Sequence, residues 1–297
     1  KAGKYHETRV SDRFGTGNRA ALGAEFDALP GVTYRSGVHE GIRVHRMVIE
    51  TAEAADRLCK PIGTYDTLEM SAYLRRQDRG FSQTVQVLAE ILREQLRLKE
   101  NDSVLLACLG NPGITPDAIG PICAKNILVT RHLKQQLPET FDSFRGVSVV
   151  CPGVLGTTGI ESAALVKAAA ETVRPDRVIA VDALAARSLH RLCRTVQICD
   201  SGIAPGSGVG NHRQALNREN LGIPVIAVGV PTVVDAGTMA AELTNQEEPD
   251  RGEAAGMIVT PREIDRFVAD AGKLVGYGIN LALHPELSLA DLEGFLS

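Results

Sequence analysis

The sequence predicts an α/β protein, with a mostly parallel sheet carrying helices on both faces. Three observations lead there. Beyond residue 100, apolar runs at 103–109, 146–151, 177–181 and 223–230 alternate with helix-patterned segments, as strand–helix–strand crossovers do. The runs at 103–109 and 177–181 are continuously apolar, which is how strands buried on both faces read. Finally, 44% apolar residues over 297 positions can fill one large core, so a single domain 1–297 is expected. Within it, 1–80 is an appended N-terminal layer containing β-structure, and 81–297 is the α/β/α core.

Each element follows from its local pattern. Gly41-Ile42-Arg43-Val44-His45-Arg46-Met47-Val48-Ile49 alternates with period two, an antiparallel or edge strand. From Ser82 to Lys99, Val85, Leu88, Leu92 and Leu96 recur at helical steps while Glu90, Arg93, Glu94 and Arg97 take the other face. That amphipathic helix should cover one side of the sheet. The strand at 103–109 runs into Gly110-Asn111-Pro112-Gly113-Ile114-Thr115-Pro116-Asp117, and a helix is expected near 118–134. The strand at 146–151 leads through a glycine loop to a helix from about 159, where Thr158 and Glu161 have capping-box spacing. The strand at 177–181 stops at Asp182, and that at 223–230 leads into Pro231-Thr232-Val233-Val234-Asp235. Residues 241–256 are polar and include Glu247-Glu248-Pro249-Asp250-Arg251-Gly252, an exposed loop. A last helix near 261–283 has Thr260 as N-cap, Pro261 at its first position and Glu263 at its third.

Composition excludes several function classes. A net charge of −4, aromatics at 4% and no tryptophan argue against nucleic-acid binding, which needs a basic face and stacking surfaces. Cys59, Cys108, Cys123, Cys151, Cys193 and Cys199 form no CxxC and no paired spacing, so reduced thiols are expected rather than a zinc ribbon or a disulfide framework. No leader-like apolar segment opens the sequence and no window nears 18 apolar residues, so a cytoplasmic protein without membrane contact is expected.

The candidate chemistry lies at strand ends, where open α/β sheets bind ligands. Asp117 follows one apolar strand and Asp182 another. Each has a structural alternative: Asp117 as a helix cap, Asp182 as the partner of Arg187 or Arg131. If the two strands are neighbours, the carboxylates converge and their titrations split, one ionised to activate water and one protonated to donate to a carbonyl oxygen. The loop holding Gly153, Gly156, Thr158, Gly159 and Glu161 offers amides for a carboxylate or an oxyanion. The glycine-rich 200–212 segment, with Ser207, Gly208 and Asn211, fits neither a dinucleotide fingerprint nor a P-loop and reads as a substrate-guiding loop or a plain turn. Cys151 and Ser207 lack a nucleophile signature, and His190 and His212 are the histidines nearest the site in sequence. A metal held by the two acids and a histidine stays open, although no cofactor is expected.

At these residues the chain resembles the germination protease family of spore-forming bacteria, endopeptidases of small acid-soluble spore proteins. The resemblance rests on Gly110-Asn111 with Thr115-Pro116-Asp117-Ala118-Ile119-Gly120-Pro121, on Thr130-Arg131-His132-Leu133, and on Pro152-Gly153-Val154 with Thr158-Gly159-Ile160-Glu161. It continues through Ala180-Val181-Asp182-Ala183-Leu184-Ala185-Ala186-Arg187-Ser188, Asp200-Ser201-Gly202-Ile203, Pro205-Gly206-Ser207-Gly208-Val209-Gly210-Asn211 and Gly222-Ile223-Pro224-Val225-Ile226-Ala227-Val228-Gly229. Further matches are Pro231-Thr232-Val233-Val234-Asp235, Val259-Thr260-Pro261-Arg262-Glu263-Ile264-Asp265 and Gly278-Ile279-Asn280-Leu281-Ala282-Leu283-His284.

That resemblance implies a three-layer α/β/α sandwich like that of hydrogenase-maturation endopeptidases, a homotetramer, and an atypical aspartic mechanism whose two aspartates fall on Asp117 and Asp182. It implies small acid-soluble spore proteins as substrates, action at germination in the spore or forespore cytoplasm, and synthesis as a zymogen. The family's processing sequence has only Thr8-Arg9-Val10-Ser11-Asp12-Arg13 as its counterpart, and the segment between Asp235 and Met257 is shorter than in some members. Two alternatives remain at this stage: a metal-recognising maturation endopeptidase on the same fold, and an inert anion-binding protein.

Overall fold

The computed structural model describes residues 29–70, 79–206, 213–244 and 256–296. It opens with β1 (Val32–His39) and β2 (Ile42–Ile49), antiparallel and joined by a two-residue turn in which Glu40 and Gly41 both take positive φ. Such a turn matches the right-handed twist of the paired strands. Helix α1 (Ala52–Leu58) follows, its first turn capped by Thr51, whose Oγ1 accepts from Ala54 N at 3.3 Å. Then come β3 (Gly63–Glu69) and α2 (Gly80–Leu96), the helix expected from the 82–99 periodicity.

At one end of the sheet β4 (Val104–Cys108), β5 (Val147–Val150), β6 (Arg177–Ala186) and β8 (Val225–Asp235) pair in parallel, in the order β5-β4-β6-β8 with β5 at the edge. Strand β7 (Thr195–Cys199) joins β8 antiparallel, and β3, β2 and β1 continue the sheet beyond β7; β9 (Ile258–Val259) pairs with the end of β8. The fold is thus the α/β class expected, but the sheet is mixed rather than mostly parallel: only its β8-β6-β4-β5 end is parallel, because the N-terminal strands and β7 pair antiparallel. The N-terminal strands are part of the same sheet through the β3–β7 pairing.

Both faces are covered. On one face α2, α3 (Ile119–Ala124) and α10 (Ile264–Leu283) bury Leu88, Leu92, Leu106, Ile179, Val228 and Leu274 in one cluster. Gly120 lets α3 lie on β4, because a Cβ there would fall 2.1 Å from the Leu109 carbonyl oxygen. On the other face α7 (Ser162–Val173) packs Ala163 and Val166 over Leu105, Ala107, Val178 and Ala180, while α5 (Pro138–Phe141) and α8 (Arg218–Leu221) are single turns in the connections.

Several boundaries differ from the sequence reading. The helix expected near 118–134 is two, α3 and α4 (Arg131–Gln136). Between them the buried Thr130 donates to the Arg145 carbonyl and accepts from Val147 N, while Leu128 N donates to Asn280 Oδ1 at 2.9 Å. The helix expected from 159 starts at Ser162. The expected N-cap Thr260 instead donates its hydroxyl to the Thr232 carbonyl at 2.8 Å, and α10 begins at Ile264. Part of the expected 241–256 loop belongs to a helix, α9 (Ala236–Thr244); residues 245–255 lie outside the described residues. A C-terminal helix, α11 (Leu289–Leu296), had no counterpart in the sequence reading.

Candidate active site

Asp182 sits inside β6, not past its end. The β4–β6 pairing stops at Cys108↔Val181, after which β4 turns away, and β6 goes on beside β8 with Asp182 opposite Gly229. Asp182 therefore occupies the brink of the sheet, beside the place where one neighbour has left. It is 5% exposed, and its Oδ1 accepts from Ala183 N at 2.9 Å. Loss of hydration, reinforced by the facing carboxylate of Asp117, pushes its carboxyl up to about 8. Its electrostatic neighbour is another acid; neither Arg187 nor Arg131 acts on it.

Asp117 reaches the same place from β4. A single 3-10 turn, Thr115–Asp117, holds it after the strand. Gly110 has φ +112°, and a Cβ on it would lie 1.9 Å from the Asp117 carbonyl oxygen, so only glycine lets the chain close there. Asn111 N donates to Asp117 Oδ2 at 2.8 Å, and Asn111 Oδ1 accepts from Gly113 N at 2.9 Å, an Asx turn that shapes the loop. The buried Thr232 of β8 ties the turn down by donating to the Pro116 carbonyl at 2.6 Å. The capping alternative for Asp117 is not what forms, since Ala118 is the residue before α3 and no side chain caps the helix. Asp117 is half-buried; lost hydration raises its carboxyl, opposed by the Asn111 amide and the Arg213 charge.

The glycine loop comes close through Arg213. Arg213 Nη1 lies 3.9 Å from Glu161 Oε2, and the same guanidinium acts on Asp117. Among the described residues that Nη1 is buried with no hydrogen-bond partner. Sequence reasoning missed Arg213, because a lone arginine after a glycine-rich segment has no spacing that marks it. The Thr158–Glu161 capping box does not form: Glu161 is itself the residue before α7, without a side-chain cap bond. Thr158 Oγ1 accepts from Ile160 N at 3.1 Å instead. Gly153, φ +68°, offers its carbonyl to Ser162 Oγ, while Gly156 lies in a short helix, α6 (Leu155–Thr158), ended by Gly159. The Thr157, Thr158, Gly159 and Ile160 amides are already bonded within the loop, so they are not free for an oxyanion.

Ser207, Gly208, Asn211 and His212 lie outside the described residues. His190 is exposed in the turn after β6, its backbone N donating to Ser188 Oγ. The Cys151 thiol is pushed up, chiefly by the neighbouring Cys108 thiol and then by burial, so it stays protonated and is a poor nucleophile. Among the described residues no three His, Cys, Asp or Glu side chains gather as a metal site, and no helix is long and apolar enough to cross a membrane.

A family model described as germination protease matches residues 16–245, a span that contains Asp117, Asp182, Glu161 and Arg213. The chain belongs to the germination protease family. It is therefore a peptidase. Among relatives, the germination protease of Clostridium perfringens is 41% identical over 292 residues, covering 88% of this chain and 90% of that protein. That of Caldanaerobacter subterraneus is 41% identical over 90% of this chain and 93% of its own length, and that of Bacillus cereus 37% identical over 89% of each. Among solved structures, a NiFe hydrogenase maturation protease of Thermococcus kodakarensis is similar at 16% identity, over 64% of this chain and 98% of that one, with a TM-score of 0.35.

Proposed function

We propose that this peptidase starts the breakdown of small acid-soluble spore proteins at germination, using Asp117 and Asp182 as an acid/base pair. One observation carries the reading: a buried aspartate without a cation partner, facing a second aspartate at the open end of a parallel sheet. Two such carboxylates titrate as a pair and hold a single proton near neutrality. The more buried Asp182 keeps that proton; the Asn111 amide and Arg213 favour the ionised form of Asp117.

In the proposed step, a water loses its proton to Asp117 while its oxygen attacks the scissile carbonyl carbon. The Asp182 proton goes to the carbonyl oxygen, giving a tetrahedral diol. Asp117 then returns its proton to the leaving amine as the C–N bond breaks, and the remaining diol hydroxyl restores the proton of Asp182. In this reading Gly153, Gly156, Thr158, Gly159 and Glu161, together with the segment holding Ser207, Gly208 and Asn211, bind and guide the substrate. The reading includes action as a homotetramer made from a zymogen, in the cytoplasm of the spore, in keeping with the family resemblance.

The test is cleavage of an unfolded small acid-soluble spore protein, before and after mild acid exposure, with products mapped by mass spectrometry. Discrete cleavage should fall by about 10²–10⁴-fold in both Asp117→Asn and Asp182→Asn, the usual contribution of a general acid or base. Cleavage indifferent to both substitutions overturns the mechanism.

A further inference from the structure

The strands beside the acids carry a polar face that continues from Asp182. Residues in register on neighbouring strands point to the same side of a sheet. One such row runs from Asp182 through Gly229, Gln197, Thr67 and His45 to Ser36. Gln197, Thr67 and His45 are only partly buried, so this side of the sheet is open where the parallel half is closed. The row behind it holds Tyr34 and Tyr65.

Three cations from two connections edge this face. Lys60, between α1 and β3, lies with Nζ 4.7 Å from the centre of the Tyr65 ring. Arg187 leaves the end of β6, and Arg191, in the turn to β7, acts on Tyr34. All three reach solvent, yet surrounding protein and the charge of Arg187 weaken the hold of both Lys60 and Arg191 on their protons. The titratable neighbours acting on Lys60 are Cys199, Arg187 and Arg191, and those on Arg191 are Tyr34 and Arg187. No carboxylate is among them. Glu69 on the same face accepts from His45 Nε2 at 3.2 Å. Glu69 also acts on Tyr34, and Glu242 accepts from Leu189 N at 3.0 Å, so the three cations outnumber the carboxylates around them, and an excess of cations attracts an anionic partner.

We propose that this open strand face, carrying Thr67 and Gln197 and edged by Lys60, Arg187 and Arg191, binds an acidic segment of the protein substrate while its scissile bond lies at Asp117 and Asp182. The inference rests on the acid-pair reading of the site. Three strand spacings separate Asp182 from Thr67, about 14 Å, which an extended peptide covers in about four residues. The acidic side chains therefore lie about four positions or more from the cut bond.

The experiment measures binding of an oligoglutamate peptide by calorimetry to the full chain and to the Lys60→Glu/Arg191→Glu double variant, at low and at physiological salt. The milder Lys60→Gln/Arg191→Gln variant serves should the reversal misfold by circular dichroism. Binding should weaken about tenfold in either variant, and wild-type binding should weaken with salt, as for exposed charge contacts. In parallel, the ratio of kcat/KM for the intact spore protein to that for a short uncharged peptide spanning the same bond should fall about tenfold. Equal oligoglutamate affinity in wild type and variants overturns the proposal. So does a change of sedimentation coefficient in the variants, which would mean that the cations face a second copy of the chain. If the acid-exposed wild type cleaves neither substrate, the acid-pair reading fails, and the calorimetry still decides the cationic face.

Discussion

The two halves of the sheet each bury an aspartate, and they treat it in opposite ways. In the antiparallel half, Asp66 of β3 is 1% exposed, but Arg46 of β2 grips it with two hydrogen bonds of 2.7 and 2.9 Å, and Gln95 adds a third at 2.7 Å. Arg46 also pairs with Glu94 of α2, so the acid anchors helix to sheet. In the parallel half, Asp182 is 5% exposed and receives one backbone hydrogen bond and the field of a second carboxylate. Burial alone therefore says little. The missing counter-charge separates an acid that holds structure from one poised for proton transfer, because a buried charge is tolerated only when paired and is otherwise neutralised by a proton.

The largest effect that could break this comparison is in stability against pH. Asp182 has a folded-state value near 8, above its unfolded one, so its contribution to stability is full below about pH 4 and is lost as pH rises through about 8. The span corresponds to on the order of 5 kcal/mol. Denaturant midpoints of the wild type should therefore fall across that window, and those of Asp182→Asn should fall distinctly less. Identical profiles would show that Asp182 is not protonated in the folded chain.

Removing the counter-charge in the other half gives the next effect. Arg46→Ala strands the buried Asp66 and should cost about 3–5 kcal/mol in chemical unfolding. Peptidase activity per folded molecule should change little, since Arg46 lies on the side of α2. A loss below about 1 kcal/mol would mean that water, rather than Arg46, satisfies Asp66.

The smallest change sharpens the active half alone. Thr232→Val removes the hydroxyl that fastens the Pro116 carbonyl, a bond worth about 1 kcal/mol to stability. Its effect on cleavage should be larger, about tenfold in kcat, because the turn carrying Asp117 then loosens. A variant that loses stability and keeps full kcat would show that β8 does not position Asp117.

Much of this was legible locally. The helix over 80–96 and the strands over 104–108, 147–150 and 42–49 appear where three- and four-residue or two-residue spacings put them, since apolar periodicity records which face is buried. Asp117 and Asp182 stand out in sequence because each follows an apolar strand. Thr158 and Thr260 show where such reasoning stops. Both have cap-like spacing, and each spends its hydroxyl elsewhere, on its own loop and on the Thr232 carbonyl. A hydroxyl takes the nearest partner in space, and spacing along the chain does not rank partners brought from far away.

The sequence by itself determined the α/β class, the positions of the main strands and helices, the two candidate acids and, through its matched segments, the peptidase family. Only the tertiary structure decided that β4 ends one residue before Asp182 on β6, that Arg213 stands beside Asp117 and Glu161, and that β3 pairs with β7 to join the N-terminal strands to the sheet. The reason is physical. Secondary structure answers to burial patterns within one segment, whereas strand order, register and the field at a carboxylate depend on which distant segments the folded chain packs together.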